Sequence, residues 1–162
     1  MLYEVEGDIL LSRAQVIGHG VSANDPMNQG LSKILHENFP SMHKEFHHWC
    51  HQHHPKPGQV WLWQGLAETK IAHLIIKDGG YTHQPEITKT SSSHIKHALH
   101  ALKKLAVKEK FSSIALPRLG TGIGGIDWAE VLPIIQYELS DLAIPVYVYS
   151  HYKPQKRAIE PR

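Results

Sequence analysis

The chain has 162 residues, is 41% hydrophobic and carries a net charge of +2 with its 14 histidines neutral. That suits one compact domain with a sizeable core and supplies no global field for nucleic acid, so any such contact has to come from basic residues gathered on one face. The single cysteine, Cys50, excludes an intrachain disulfide framework and fits a reducing, cytoplasmic compartment. No signal-peptide pattern opens the chain, and no apolar run approaches the ~20 residues of a membrane helix.

Residues 2–6 alternate apolar and polar as a half-buried strand does, then meet Gly7-Asp8 before Ile9-Leu10. Asp8 stands just past that strand, where ligand-facing loops of an open α/β sheet collect and where an aspartate also serves as a turn or cap. Residues 15–21 predict a buried second strand, followed by a polar loop over 22–30 and a helix opening at Leu31. Phe39-Pro40 ends this helix, and Ser41 is placed to cap the next one, 42–53, with Phe46 and Trp49 as its buried positions. His43, His47 and His51 recur every four residues there, with His48, His53 and His54 nearby. A structural zinc site wants four convergent ligands or a sharply defined motif, and neither HExxH nor a cysteine pair is present. The run therefore reads as a solvated histidine-rich helix, and no metal is assigned.

Residues 59–64 and 70–76 predict two more strands, the second ending fully apolar with Lys77 immediately after it. A lysine there either begins a surface loop or sits as a cation at the rim of a cleft. Residues 78–85 form a loop able to close over a ligand. Residues 94–110 make the clearest amphipathic helix, with Ile95, Leu99, Leu102, Leu105 and Ala106 on one face; its lysines read as a solvated face, since no aromatic residues are interleaved for base stacking.

The densest signal lies at 114–128, an apolar strand running through Gly120, Gly122, Gly124 and Gly125 into a helix start. Four glycines can aim several backbone N–H groups into one concavity, and Asp127 followed by Glu130 matches a capping box, so phosphate is the natural guest. The spacing of Gly120, Gly122 and Gly125 also fits a dinucleotide fingerprint. That fingerprint belongs after an early strand and needs a later carboxylate, whereas here only the strand at 145–149 follows and it ends without one. A helix over 128–139 precedes that strand, and the basic segment 153–162 reads as a disordered tail.

These elements imply one mixed sheet covered on both faces, with ligand loops at one edge. In this order, Gly7-Asp8-Ile9-Leu10, the loop from Gly18 to Gly30, Leu74-Ile75-Ile76-Lys77, the run from Pro117 to Trp128 and Val146-Tyr147-Val148-Tyr149 resemble a macrodomain over residues 2–152. The resemblance implies a three-layer α/β/α fold with a central mixed sheet, ADP-ribose as ligand, an ADP-ribosylated macromolecule (DNA or protein) as partner, and no cofactor. Within that family the chain is similar to the branch holding the terminal ADP-ribose glycohydrolase and the antitoxin glycohydrolases that act on thymidine-ADP-ribosylated DNA. By that similarity Asp8 and Ile9 address the adenine, and Tyr149 lies along the adenine or its ribose. Leu119, Gly120, Thr121, Gly122, Ile123 and Gly124 cradle the diphosphate, while Gly20, Val21, Ser22 and Gly30 surround the distal ribose. Lys77 falls on the catalytic lysine of that branch.

Two departures bear on mechanism. Gly124 stands where the terminal glycohydrolase carries an aspartate, and the Gly-Gly-Ile-Asp-Trp ending looks like the DNA-directed group instead. Gly18-His19-Gly20-Val21-Ser22 replaces the asparagine-rich loop of the common class, so asparagine-assisted water activation is not implied. His19 is either a proton carrier or a histidine buried behind the strand end. Two other functions stay open: a reader module in which Lys77 only pairs with the ligand, and an ADP-ribose 1″-phosphate phosphatase, which needs a water-activating group.

Overall fold

The computed structural model describes residues 1–65, 68–79, 89–122 and 125–162. Its six-stranded sheet runs β1 (Leu2–Gly7), β6 (Val146–Tyr152), β5 (Ile114–Leu116), β2 (Val16–Ser22), β4 (Lys70–Lys77), β3 (Val60–Gln64). All neighbours are parallel except the edge pair β3 and β4, so the sheet is mixed, as expected. Parallel strands align their carboxyl ends at one edge, and the segments that follow β1, β2, β4, β5 and β6 open there together.

Helices α3 (Ser92–Lys108) and α4 (Trp128–Leu139) cover one face. Ile95, Ala98, Leu99 and Leu102 of α3 meet Val131 and Ile135 of α4 over Val16, Leu74, Ile76, Leu116 and Val148. Helices α1 (Gly30–Asn38) and α2 (Pro40–His53) cover part of the other face, burying Leu35, Met42, Phe46 and Cys50 against Val21, Ile71 and Ile75. Cys50 is fully buried, and among the described residues no helix is long and apolar enough to cross a membrane.

Three local expectations need correction. α1 ends at Asn38 with Phe39 as its cap, as expected, but the next helix starts early, at Pro40, because a helix start needs no N–H there; Ser41 lies inside the first turn and does not cap. Asp127 has the extended backbone of a helix cap but its side chain makes no capping bond. Its expected partner, Glu130, instead accepts from Ser92 Oγ at 2.8 Å and so ties α4 to α3. The cap of α3 is Ser91, whose Oγ accepts from the His94 amide at 3.1 Å.

The third correction is the C-terminal segment, expected to be a disordered tail. It doubles back as a strap over the sheet face that α1 and α2 leave bare, where Ala158 packs beside Val5, Ile17, Tyr147 and Tyr149. The Asp8 amide donates to the Lys156 carbonyl, and the Tyr147 hydroxyl donates to the Pro161 carbonyl. Glu160 accepts from Ser12 Oγ (2.6 Å), the Arg13 amide (3.0 Å) and the Tyr149 hydroxyl (2.8 Å). A buried sheet face needs an apolar cover and acceptors for its hydroxyls, and the strap supplies both. Replacing Glu160 by Ala is expected to lower stability by about 1–3 kcal/mol, since three donors lose one acceptor. The check is the urea unfolding midpoint, and an unchanged midpoint would mean that the strap contributes nothing.

Candidate functional site

A cavity of about 890 Å³ opens at the carboxyl ends of the strands. Its floor is Gly20 at the end of β2 with Ile76 and Lys77 at the end of β4; one wall is the start of α1, and the other is the segment 117–122 after β5. Ile9 and Leu10, which follow β1, and Tyr149 and Tyr152 of β6 close a third side.

The glycine segment is folded back on itself. The Gly125 amide donates to the Gly122 carbonyl (2.9 Å) and the Ile126 amide to the Gly120 carbonyl (2.8 Å). Gly120 has φ +70°, and a Cβ on it would stand 2.7 Å from Ile95 Cδ1. A Cβ on Gly125 would stand 2.1 Å from the Gly120 oxygen, so only glycine permits this closure. At Gly122 the same construction meets no described atom within 4 Å. Arg118 braces the segment, donating from Nε to the Ser150 carbonyl of β6 and lying 5.4 Å over the Trp128 ring at the start of α4.

His19 of β2 lines the cavity between the strand end and α1 and is buried, with Nδ1 2.8 Å from Ser32 Oγ in the first turn of α1. Burial, and then the charge of Lys77, push its pKa down to about 3, so it stays neutral. Its ring meets His73 of β4 edge to face at 4.6 Å. Burial drives His73 well below the ordinary histidine value too, and its Nδ1 lies 3.2 Å from the Trp61 carbonyl. Among the described residues neither Nε2 atom has a hydrogen-bond partner. A pair of neutral imidazoles places no competing positive charge beside Lys77. His19 is thus buried, as one of its two sequence readings expects, and it also lines the cavity.

Lys77, Ile9, Gly20, Gly30, Leu119, Gly120, Thr121, Gly122 and Tyr149 all line the cavity. Three other expected residues are not among its lining. Asp8 is buried and its carboxylate accepts from the Leu10 amide (Oδ1, 3.0 Å) and the Gln155 amide of the strap (Oδ2, 3.0 Å). Val21 points into the core under α1 and α2, as alternation along β2 from the cavity-lining Gly20 requires. Ser22 is buried against Asp25 Oδ2, which accepts from its amide at 2.9 Å. Ile123 and Gly124 lie outside the described residues, as does the expected closing loop from Gly80 on.

Sequence reasoning missed Asn28, Ser32, Lys33 and Tyr152 as lining residues. The first three belong to the loop and helix turn around Gly30, a phase readable once Gly30 is put in the site. Tyr152, 61% exposed, is an aromatic past the predicted strand end at the same edge. Of the histidine run, His43 and His47 share a half-buried face, while His48, His51, His53 and His54 are exposed. His43 stacks on His36 at 3.8 Å and meets His47 at 4.1 Å, and His47 Nε2 is 2.9 Å from the Asp25 carbonyl. Among the described residues no group of three or more His, Cys, Asp or Glu side chains could hold a metal ion.

A mixed sheet between helices, with a glycine loop beside a helix start at its carboxyl edge, defines an α/β/α domain shaped for a phosphate-bearing ligand. The chain belongs to the Macro domain family, whose model matches residues 19–135. It is 30% identical over 159 residues to a DNA ADP-ribosyl transferase-DNA ADP-ribosyl glycohydrolase fusion protein of Thermosipho africanus, covering 90% of this chain and 40% of that protein. The chain thus spans less than half the length of that relative. The macrodomain of Thermus aquaticus DarG superposes with a TM-score of 0.81 at 25% identity over 93% of this chain and 98% of that one. Thermosipho africanus DarTG in complex with ADP-ribose gives a TM-score of 0.81 at 26% identity, covering 96% and 42% of the two chains.

Proposed function

We propose that this macrodomain binds ADP-ribose and releases it from an ADP-ribosylated macromolecule, with Lys77 as the catalytic residue. The observation that carries this reading is that Lys77 lines the same cavity as the glycine loop 120–122 and the start of α1. A ligand whose diphosphate sits on the glycine loop therefore has its far end within reach of the Lys77 amine. Ile9 and Tyr149 hold the adenosine end; Leu119, Gly120, Thr121 and Gly122 hold the diphosphate; Gly20, Gly30 and Ser32 hold the distal ribose. Asp8 acts from behind the wall, fixing the Leu10 amide.

In the reaction the deprotonated Lys77 nitrogen bonds to the anomeric carbon of the distal ribose. The bond to the macromolecule breaks with its electron pair, and the leaving atom takes a proton. Water then hydrolyses the lysyl adduct, giving free ADP-ribose and restoring the amine. No carboxylate at Gly124 is needed for the first step.

DNA is the favoured macromolecule. The Gly-Gly-Ile-Asp-Trp ending resembles the DNA-directed group, and the fusion protein that is 30% identical carries a DNA ADP-ribosyl glycohydrolase in its name. The site of action is the cytoplasm, in keeping with the lone buried thiol of Cys50. The test is release of ADP-ribose from a thymidine-ADP-ribosylated oligonucleotide against an ADP-ribosylated protein. Release from protein alone would overturn the DNA assignment. A companion test is Gly122→Glu, whose side chain enters open space and sets a negative charge against the diphosphate. ADP-ribose affinity is expected to fall by roughly 100-fold or more, on the order of 3 kcal/mol, with the melting curve unchanged. Unaltered affinity in calorimetry would sink the placement of the diphosphate.

A further inference from the structure

A second cavity, of about 1060 Å³, lies at the opposite end of the sheet, where β2, β4 and β5 begin. A seven-residue strand separates the two ends by roughly 20 Å or more. Arg13, Gln15, Lys70, Ser113, Arg157 and Arg162 are among its lining residues.

Its charges are unbalanced in a specific way. Among the described residues, the side chains of Arg13, Arg157 and Arg162 make no hydrogen bond or ion pair. Lys70 Nζ faces the Phe111 ring at 5.9 Å and pairs with no carboxylate among the described residues. Among the described residues two side-chain carboxylates line the space, Glu68 and Glu160, and Glu160 already accepts from Ser12 Oγ, the Arg13 amide and the Tyr149 hydroxyl. Donors therefore exceed free acceptors. Three unpaired guanidinium groups around one concavity repel each other unless an anion joins them, and their planar forks match phosphate oxygens two at a time.

The strap extends this charge into a row. From the mouth of the first cavity at Tyr152 it carries Lys153 and Lys156, both on Glu6 (3.1 and 3.2 Å), and then Arg157 and Arg162. The bonds of Glu160 and Pro161 hold it in place. A row of cations along a fixed strap suits a chain of phosphates better than a single one. Tyr147, the cavity's aromatic residue, is buried and its hydroxyl is bonded to the strap, so bases have no stacking platform there.

We propose that this second cavity and the strap bind the phosphodiester backbone of a single-stranded nucleic acid, independently of sequence and of the chemistry at Lys77. The near-neutral chain thus gathers on one face the cations that its total charge conceals.

The test is fluorescence anisotropy of a labelled, unmodified oligonucleotide of about 15 nucleotides, as DNA and as RNA. It compares the wild-type chain with the Arg13→Glu/Arg157→Glu double variant across a salt series. Neither side chain holds the fold together, and ADP-ribose affinity measured on the same proteins reports on the first cavity separately. The expected result is binding of DNA and RNA alike. The double variant loses at least about tenfold in affinity, its log–log salt slope is shallower by about 1.4, and ADP-ribose binding is unchanged. Equal oligonucleotide affinity in the variant, or no wild-type binding near about 50 mM salt, would overturn the proposal. Binding of inorganic pyrophosphate that depends on the two arginines, without oligonucleotide binding, would overturn it in favour of a small-anion site.

Discussion

Lys77→Ala is expected to reduce ADP-ribose release by roughly 10³-fold or more while leaving ADP-ribose affinity within a few-fold of wild type. The residue is partly exposed at the end of β4, so truncation opens no hole in the core, and the glycine loop that holds the diphosphate does not depend on it. A nucleophile contributes to the reacting bond rather than to the ground-state complex, which is why rate and affinity separate. Lys77→Arg sharpens the test, because guanidinium keeps the charge but does not deprotonate. An inactive Arg variant supports attack by the amine, and an active one would show that charge alone suffices. If Lys77→Ala still releases ADP-ribose at the wild-type rate, the catalytic assignment fails. If the wild type binds ADP-ribose and releases none from DNA or protein, the domain is a reader.

The second large effect is on stability in mild acid. His19 is held to a pKa of about 3 in the folded chain, against an ordinary 6.5. Below about pH 6.5 the unfolded chain therefore takes up a proton that the folded chain refuses, and stability falls as pH falls. By about pH 5 this one residue costs about 2 kcal/mol. His73 and His43 are shifted in the same direction, chiefly by burial, and add to it. Native proteins hold only about 5–15 kcal/mol, so a drop in melting temperature of several degrees between neutral pH and about pH 5 is expected. His19→Asn keeps polar atoms toward Ser32 and removes the titration. Its pH slope should be flatter by about 2 kcal/mol over that interval, and a slope identical to wild type would show that His19 does not carry the effect.

Much of the site was legible because it obeys local rules. Glycines packed between an apolar strand and a helix start can hardly be anything but a closed backbone loop, and Lys77 after a fully apolar strand end can hardly be elsewhere than at a sheet edge. Where local rules compete, the sequence misled. Asp127 and Glu130 have capping-box spacing, but Ser92 Oγ from another helix takes the glutamate. Ser41 is a good cap by type, yet Pro40 is a better first helical residue. Asp8, expected at the adenine, also takes two backbone amides on its carboxylate, one of them from Gln155, which no local pattern announces.

The sequence by itself determined the element order, the mixed sheet, the two facing loops and the lysine between them, because hydrophobic period and glycine placement act over a few residues. Only the tertiary structure decided what lies far apart in the chain. It set the neutral His19–His73 pair at the cavity, the strap that ties Glu160 to Ser12 and Tyr149, and the arginines it brings beside Arg13. Those contacts have no local signature: a segment without period or caps looks disordered until a bare sheet face and its hydroxyls supply the partners.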